Sequence, residues 1–271
     1  MKRICITSTG WLAAVLLLSG AIAAGSAWAL PEVGRCVAQA GTGKYKDANC
    51  SEKAGKLVSE KGFEFKKGAV KKAFTVSSGE VVLETASETK VICHAGSAVG
   101  EYREASGVIK EVQKVVMRLT GCGLPIGNCN TAGAPEGEFV TAPLKGKLGY
   151  VSGKGTKTPT VGQELRPEKA KGPLLEFECG GGAAKVKVGV RGTTPNGNDC
   201  IIGTLSPVNV MSASFAEAFS GSKGVQSPQS FETSPTKICN LKSSANGGKF
   251  ERNDLAFTTT ITNEEPLEVK A

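Results

Sequence analysis

Nine cysteines, a single histidine and a few closely spaced glutamates are the residues of this 271-residue chain whose chemistry could define a site. Nucleophilic catalysis of the Ser/His/Asp or Cys/His kind needs an imidazole, and the only one is His94. His94 follows Cys93. On an alternating strand that places the cysteine toward a core and the histidine toward solvent, as an ordinary surface side chain. No G-x-S-x-G, P-loop lysine signature or H-E-x-x-H occurs, and Gly41-Thr42-Gly43-Lys44 lacks the strand and helix that would make it a phosphate loop. The pairs Glu136/Glu138, Glu176/Glu178 and Glu264/Glu265 have the form of a hydrolytic acid and base. With 22 glutamates against three aspartates, however, most carboxylates are expected to be solvated charges on strand faces.

The cysteines are read through their compartment. Lys2 and Arg3, the apolar run from Trp11 to Leu18 and the small-x-small site Ala27-Trp28-Ala29 make residues 1–29 a secretory signal peptide. Leu30, not a cysteine, follows the site, which disfavours a lipid anchor, and no later run is long and apolar enough for a transmembrane segment. Removing the leader leaves Cys36, Cys50, Cys93, Cys122, Cys129, Cys179, Cys200 and Cys239, an even set that in an exported protein reads as disulfides. Cys36–Cys50 and Cys122–Cys129 are expected as local bridges around turn-rich loops. Cys93 and Cys179 each share a strand face with apolar neighbours, which pairs them in the core and leaves Cys200 for Cys239. Absence of C-x-x-C, a lone histidine and three isolated aspartates (Asp47, Asp199, Asp254) argue against zinc and EF-hand calcium sites, so neither metal nor cofactor is expected.

The elements that must position these residues are strands. Glycine (35) and proline (12) punctuate short apolar runs, which predicts an all-β protein: an antiparallel β-sandwich or barrel-like domain over 73–271, with a small disulfide-closed segment at 30–72. Lys185 to Arg191 and Leu255 to Ile261 alternate apolar and polar residues as half-buried strands do. Residues 108–119 fit either a strand or a helical stripe, and their β-branched content favours strand. One short helix is predicted at 212–219, where Met211, Phe215 and Phe219 recur every fourth residue.

Charge is uneven along the chain. Residues 30–72 carry ten basic against five acidic residues, most of the mature excess of +6. Lys61, Lys66, Lys67, Lys71 and Lys72 surround Phe63-Glu64-Phe65. They read either as lysines that keep an edge strand from aggregating or as a positive patch touching an anionic surface such as a cell-envelope polymer. Specific nucleic-acid readout is not expected, because the mature chain has 25 lysines and only six arginines. Trp11 and Trp28 both fall in the expected leader, so only Tyr45, Tyr102 and Tyr150 besides phenylalanines offer platforms for a sugar.

Gly34-Arg35-Cys36-Val37 followed by Gly43-Lys44-Tyr45-Lys46-Asp47-Ala48-Asn49-Cys50 resembles the opening of a group of uncharacterised secreted proteins of soil actinobacteria. The resemblance extends through Gly121-Cys122, Cys129, Leu144 to Gly149 and Phe177-Glu178-Cys179. It implies export and a shared architecture, with Cys200 and Cys239 as an addition paired to each other, and it carries no catalytic residue. The expected product is a secreted protein, extracellular or cell-surface associated, with a non-catalytic binding role. The alternative is a secreted hydrolase working through paired glutamates.

Overall fold

The computed structural model describes residues 31–39, 41–58, 62–69, 71–125, 127–169, 172–190 and 200–271. The expected leader, Lys61, Arg191 and Asp199 lie outside them. Within them the chain is built of strands. The first four are β1 (Glu32–Ala38), β2 (Gly43–Tyr45), β3 (Lys53–Val58) and β4 (Phe63–Lys67). Then come β5 (Ala73–Ser78), β6 (Val81–Thr85), β7 (Lys90–Cys93), β8 (Ala95–Ala105), β9 (Val108–Thr120), β10 (Gly123–Leu124), β11 (Gly127–Asn130) and β12 (Glu138–Val140). The remainder are β13 (Leu144–Ser152), β14 (Thr160–Pro167), β15 (Leu175–Cys179), β16 (Ala184–Val188), β17 (Ile201–Ser206), β18 (Ser212–Ser222), β19 (Val225–Ser227), β20 (Lys242–Ala245) and β21 (Glu251–Lys270).

Eight of these strands close an antiparallel barrel. The order of pairing is β5, β8, β9, β13, β14, β17, β18, β21 and back to β5. Period-two alternation sends Val112, Leu165, Phe219, Phe257 and Ile261 inward, where they are buried, and their neighbours outward. The interior is filled by side chains: Phe219 stacks on Phe257 with ring centroids 4.5 Å apart, and Phe74 tilts against Tyr102 at 5.0 Å. Gly203 makes room for this packing, since a Cβ there would come within 2.6 Å of Glu217 and 2.8 Å of Phe219.

The outer strands form a second circuit of pairings, β6, β7, β10, β11, β15, β16 and β20, which begins and ends on the first residues of β21. Leu83, Val91, Phe177, Val188 and Leu255 are buried here and belong to the same apolar core as the barrel. The basic segment is joined to the barrel: β1 pairs with β4 within the segment, and with the end of β21 and with β9. Lys270 fastens the junction. Its ammonium donates to the Cys50 carbonyl and to Glu268, and it lies 5.1 Å from the ring centroid of Tyr45.

All eight cysteines among the described residues form disulfides, and two pairs are those expected: Cys36–Cys50 and Cys200–Cys239. The other two correct the sequence reading, being Cys93–Cys122 and Cys129–Cys179 instead of Cys93–Cys179 and Cys122–Cys129. The reason is strand order. The β10–β11 hairpin sits between β7 and β15, so the four cysteines fall in one row, and each hairpin cysteine bonds outward to the flanking strand. Strand phase identified the buried face but not which neighbour along the row would be the partner.

The helix expected at 212–219 is also corrected, because those residues belong to β18. Phe215, Glu217 and Phe219 are all buried on one face of that strand. A glutamate standing in the apolar alternation made a two-residue repeat look like a four-residue one. Residues 108–119 are strand, as their composition favours.

Glu217 is a carboxyl buried inside the barrel, beside Phe219 and Phe257. It is 3% exposed, its Oε1 has no hydrogen-bond partner among the described residues, and burial pushes its pKa up to about 8. Nearby, the buried Tyr102 hydroxyl donates to Asn263 Oδ1 at 2.7 Å. Because the folded pKa lies above the ordinary 4.5, this group leaves stability intact below 4.5. Stability then falls as the pH climbs toward about 8, by up to about 1.4 kcal/mol per pH unit. Glu217→Gln should flatten that slope in chemical denaturation between these pH values, and equal slopes in both proteins would contradict a neutral buried carboxyl.

Candidate cation-lined cleft

The lysines expected to touch an anionic surface do lie on or beside β4, but carboxylates accompany them. Lys66 pairs with Glu64 at 2.9 Å, Lys67 with Glu32 at 3.5 Å and Lys72 with Glu104 at 3.4 Å. The Lys66 and Lys44 ammoniums in turn hold the Glu64 carboxyl below its ordinary pKa. The Lys71 backbone N–H donates to Glu265, which also pairs with Arg35. Thus four of the five expected contact residues are described, and three of their ammoniums, those of Lys66, Lys67 and Lys72, are paired with carboxylates.

A different set of cations converges on the outer wall of the barrel. Outward positions of adjacent strands form a cross-strand row: Arg103 on β8, Glu111 on β9, Lys147 on β13 and Glu164 on β14 are successive partners in register. Charge alternates along that row, so each step is attractive. Arg103 pairs with Glu111 at 3.0 Å. Glu164 is 2% exposed and is gathered by three cations: Arg166 is in direct ion-pair contact, while the ammoniums of Lys147 and Lys237 each lie 3.9 Å away. Beside Arg166, its strand partner Lys145 has no ion-pair partner among the described residues.

These residues line a cleft of about 200 Å³: Arg103, Lys145, Lys147, Arg166 and Lys237 with Glu111 and Glu164, five cations against two anions. Lys237 comes from the loop 228–241, which lies over the barrel wall and buries Phe231 with Ile202 around the Cys200–Cys239 bridge. The Phe231 ring rests directly on Gly149, where a Cβ would come within 2.5 Å, so only glycine lets the loop seat this closely. Glu232 N–H donates to the Tyr150 carbonyl at 2.7 Å, and the Lys154 N–H donates to Glu232 at 2.9 Å, fixing the loop to the end of β13.

Glu164, Cys200 and Cys239 bring a carboxylate oxygen and two sulfurs within 4.8 Å of one another. They do not make a metal-binding donor set as they stand, because both sulfurs are bonded to each other and the carboxylate faces three cations. Four of the six glutamates considered for hydrolysis are engaged elsewhere. Glu138 pairs with Arg118, Glu136 accepts from Asn128, Glu176 pairs with Lys187 and Glu265 with Arg35. His94 is exposed at the end of β7, with its N–H donated to Thr120. Tyr102 and Tyr150 are buried, leaving no tyrosine platform on the described surface apart from the half-buried Tyr45.

Comparison with family models, curated proteins and solved structures finds no match. The reading of the site therefore rests on its own geometry.

The cluster depends on Glu164, since without it the poorly exposed Arg166 and two lysines face one another. Glu164→Gln should lower unfolding free energy by about 3 kcal/mol in urea titration, and Arg166→Met in the same chain should restore most of the loss. An unchanged midpoint in the single variant would show that this carboxylate is not the hub of the cluster.

Proposed function

We propose that this is an exported, disulfide-stabilised, non-catalytic protein that binds an anionic polymer of the cell envelope through the outer wall of its barrel. The observation that carries this reading is the cleft with three more cations than anions, one of which, Lys145, has no counter-ion among the described residues. A concave surface of one sign concentrates ligands of the other and raises their rate of encounter. Four disulfides support the choice of an oxidising compartment. The pairing of Lys66, Lys67 and Lys72 with carboxylates supports placing the contact here instead of in the basic segment.

Co-sedimentation with isolated bacterial envelopes should be strong at low ionic strength and disappear with added salt. Lys145→Glu should weaken it roughly tenfold, whereas Lys66→Glu should have little effect. Lys145 has no ion-pair partner among the described residues, so this variant removes no ion pair seen there. Absence of binding at low salt, or equal losses in the two variants, would overturn the proposal.

A further inference from the structure

The wall of the outer circuit has one missing rung, at Glu176 on β15. The bonds around it fix which way the main chain faces. Asn246 N–H donates to the Lys185 carbonyl at 2.7 Å and Gly189 N–H to that of Lys242 at 2.8 Å, so Lys185, Lys187 and Gly189 turn toward β20. By alternation Val186 and Val188 turn toward β15, where they meet Phe177 and Leu175. Glu176 and Glu178 therefore direct their N–H and C=O groups the other way, toward β11 and β12. Glu178 is met there by Asn130, the last residue of β11, and the Leu174 carbonyl accepts the Ala142 N–H at 3.1 Å. Between these two rungs the chain has left β15: Thr131 donates its N–H to the Glu138 carbonyl, and its hydroxyl serves the main chain of Val140. The Glu176 N–H and C=O thus have no main-chain partner among the described residues.

The gap opens into a cleft of about 650 Å³, lined by Glu176 itself, by Thr131, Ala132 and Ala142 around the gap, and by Ala134 and Pro173. That is the size of a small-ligand site. Its side chains leave the Glu176 main chain to a visitor: the Thr131 hydroxyl is committed to Val140, Arg118 pairs with Glu138, and the Glu176 carboxylate pairs with Lys187. Lys169, exposed, is its remaining charged group.

Elsewhere the molecule shows what fits such a place. At Leu255 the Gln226 carboxamide accepts the main-chain N–H at 3.0 Å and donates to the carbonyl of the same residue at 3.2 Å. A primary carboxamide carries an acceptor and a donor side by side, matching the N–H and C=O that one residue presents to one side of its strand. A trans secondary amide points them in opposite directions, and a carboxylate has no donor. A hydroxyl must serve both from a single atom, as Thr131 does at Val140 with distances of 3.0 and 3.4 Å.

We infer that this cleft binds a ligand bearing a primary carboxamide, the group that ends glutamine and asparagine side chains, seated on the main chain of Glu176 as Gln226 is seated on Leu255. The site shares no lining residue with the cation-lined cleft and does not depend on the anionic-polymer reading.

The test is calorimetric titration of the intact, disulfide-bonded protein with propionamide and three tripeptides. The peptides carry glutamine, glutamate or serine between two glycines, acetylated and N-methylamidated so that only the central side chain differs. The glutamine peptide should bind about tenfold more tightly than the other two. Glu176→Ala, which keeps both main-chain groups, should leave that affinity within about twofold. Glu176→Pro removes the N–H where no ladder bond is lost and should weaken it about tenfold. Should the proline variant fail to fold, Ala134→Phe, which fills the cleft, should weaken the glutamine peptide by the same factor. Glutamate or serine peptides that bind as tightly as the glutamine peptide would overturn the carboxamide assignment. Glutamine-peptide binding that is absent, or unaltered by Glu176→Pro and Ala134→Phe, would overturn the site. Propionamide separates the two sources of the group: affinity close to that of the glutamine peptide upholds the assignment with a small amide as ligand, and much weaker binding upholds it with a peptide side chain.

Discussion

Every sheet in the molecule depends on the final strand. Over twenty residues β21 pairs first with β20 and β6, then with β18 and β5, and last with β1. Its first part begins and ends the outer circuit, its middle closes the barrel, and its end ties in the basic segment. Closure removes the unpaired edges that an open antiparallel sheet of this size would present. It also fixes register around the ring, because a one-residue slip in any strand would turn its apolar face outward.

That fixed register is what makes the outer wall chemically specific. Arg103, Glu111, Lys147 and Glu164 lie far apart in sequence and become neighbours only through four strands held in phase. The small core under the 228–241 loop then adds Lys237 from outside the barrel, with the Cys200–Cys239 bridge holding the loop at one end. The disulfides thus have different tasks. Cys93–Cys122 and Cys129–Cys179 staple the row of strands around the β10–β11 hairpin, Cys36–Cys50 closes the segment to which Lys270 docks, and Cys200–Cys239 seats the loop that completes the cleft.

The fold class was legible because strand signals are local. Alternation at Lys185 to Val188 and Leu255 to Ile261, and turn residues between short runs, need no tertiary information. What failed depended on neighbours in space. Glu217 broke the apolar pattern of β18 because its burial is set by the barrel interior, and the hairpin cysteines were assigned to each other because strand order is not written in spacing. The cleft was hidden for the same reason. Lys145 and Lys147, with Glu164 and Arg166, do alternate as outward-facing pairs, a signal for solvent-facing strands. Only the register of β13 against β14, and the return of the loop carrying Lys237, turn that signal into a site. Conversely, the charge excess of residues 30–72 was visible in the sequence, while the carboxylates from outside the segment that meet it, Glu104 at Lys72 and Glu265 at Arg35, do so only after folding.

The location of the binding surface is the central claim, and it can be seen directly by mapping backbone amide NMR shifts while the intact protein is titrated with a soluble anionic polymer, polyphosphate, at low ionic strength. The account predicts that the largest shifts cluster at residues 145–147, 164–166 and 237, with the amides of β4 little changed. Shifts confined to 62–72, or scattered over the surface without a cluster, would contradict it.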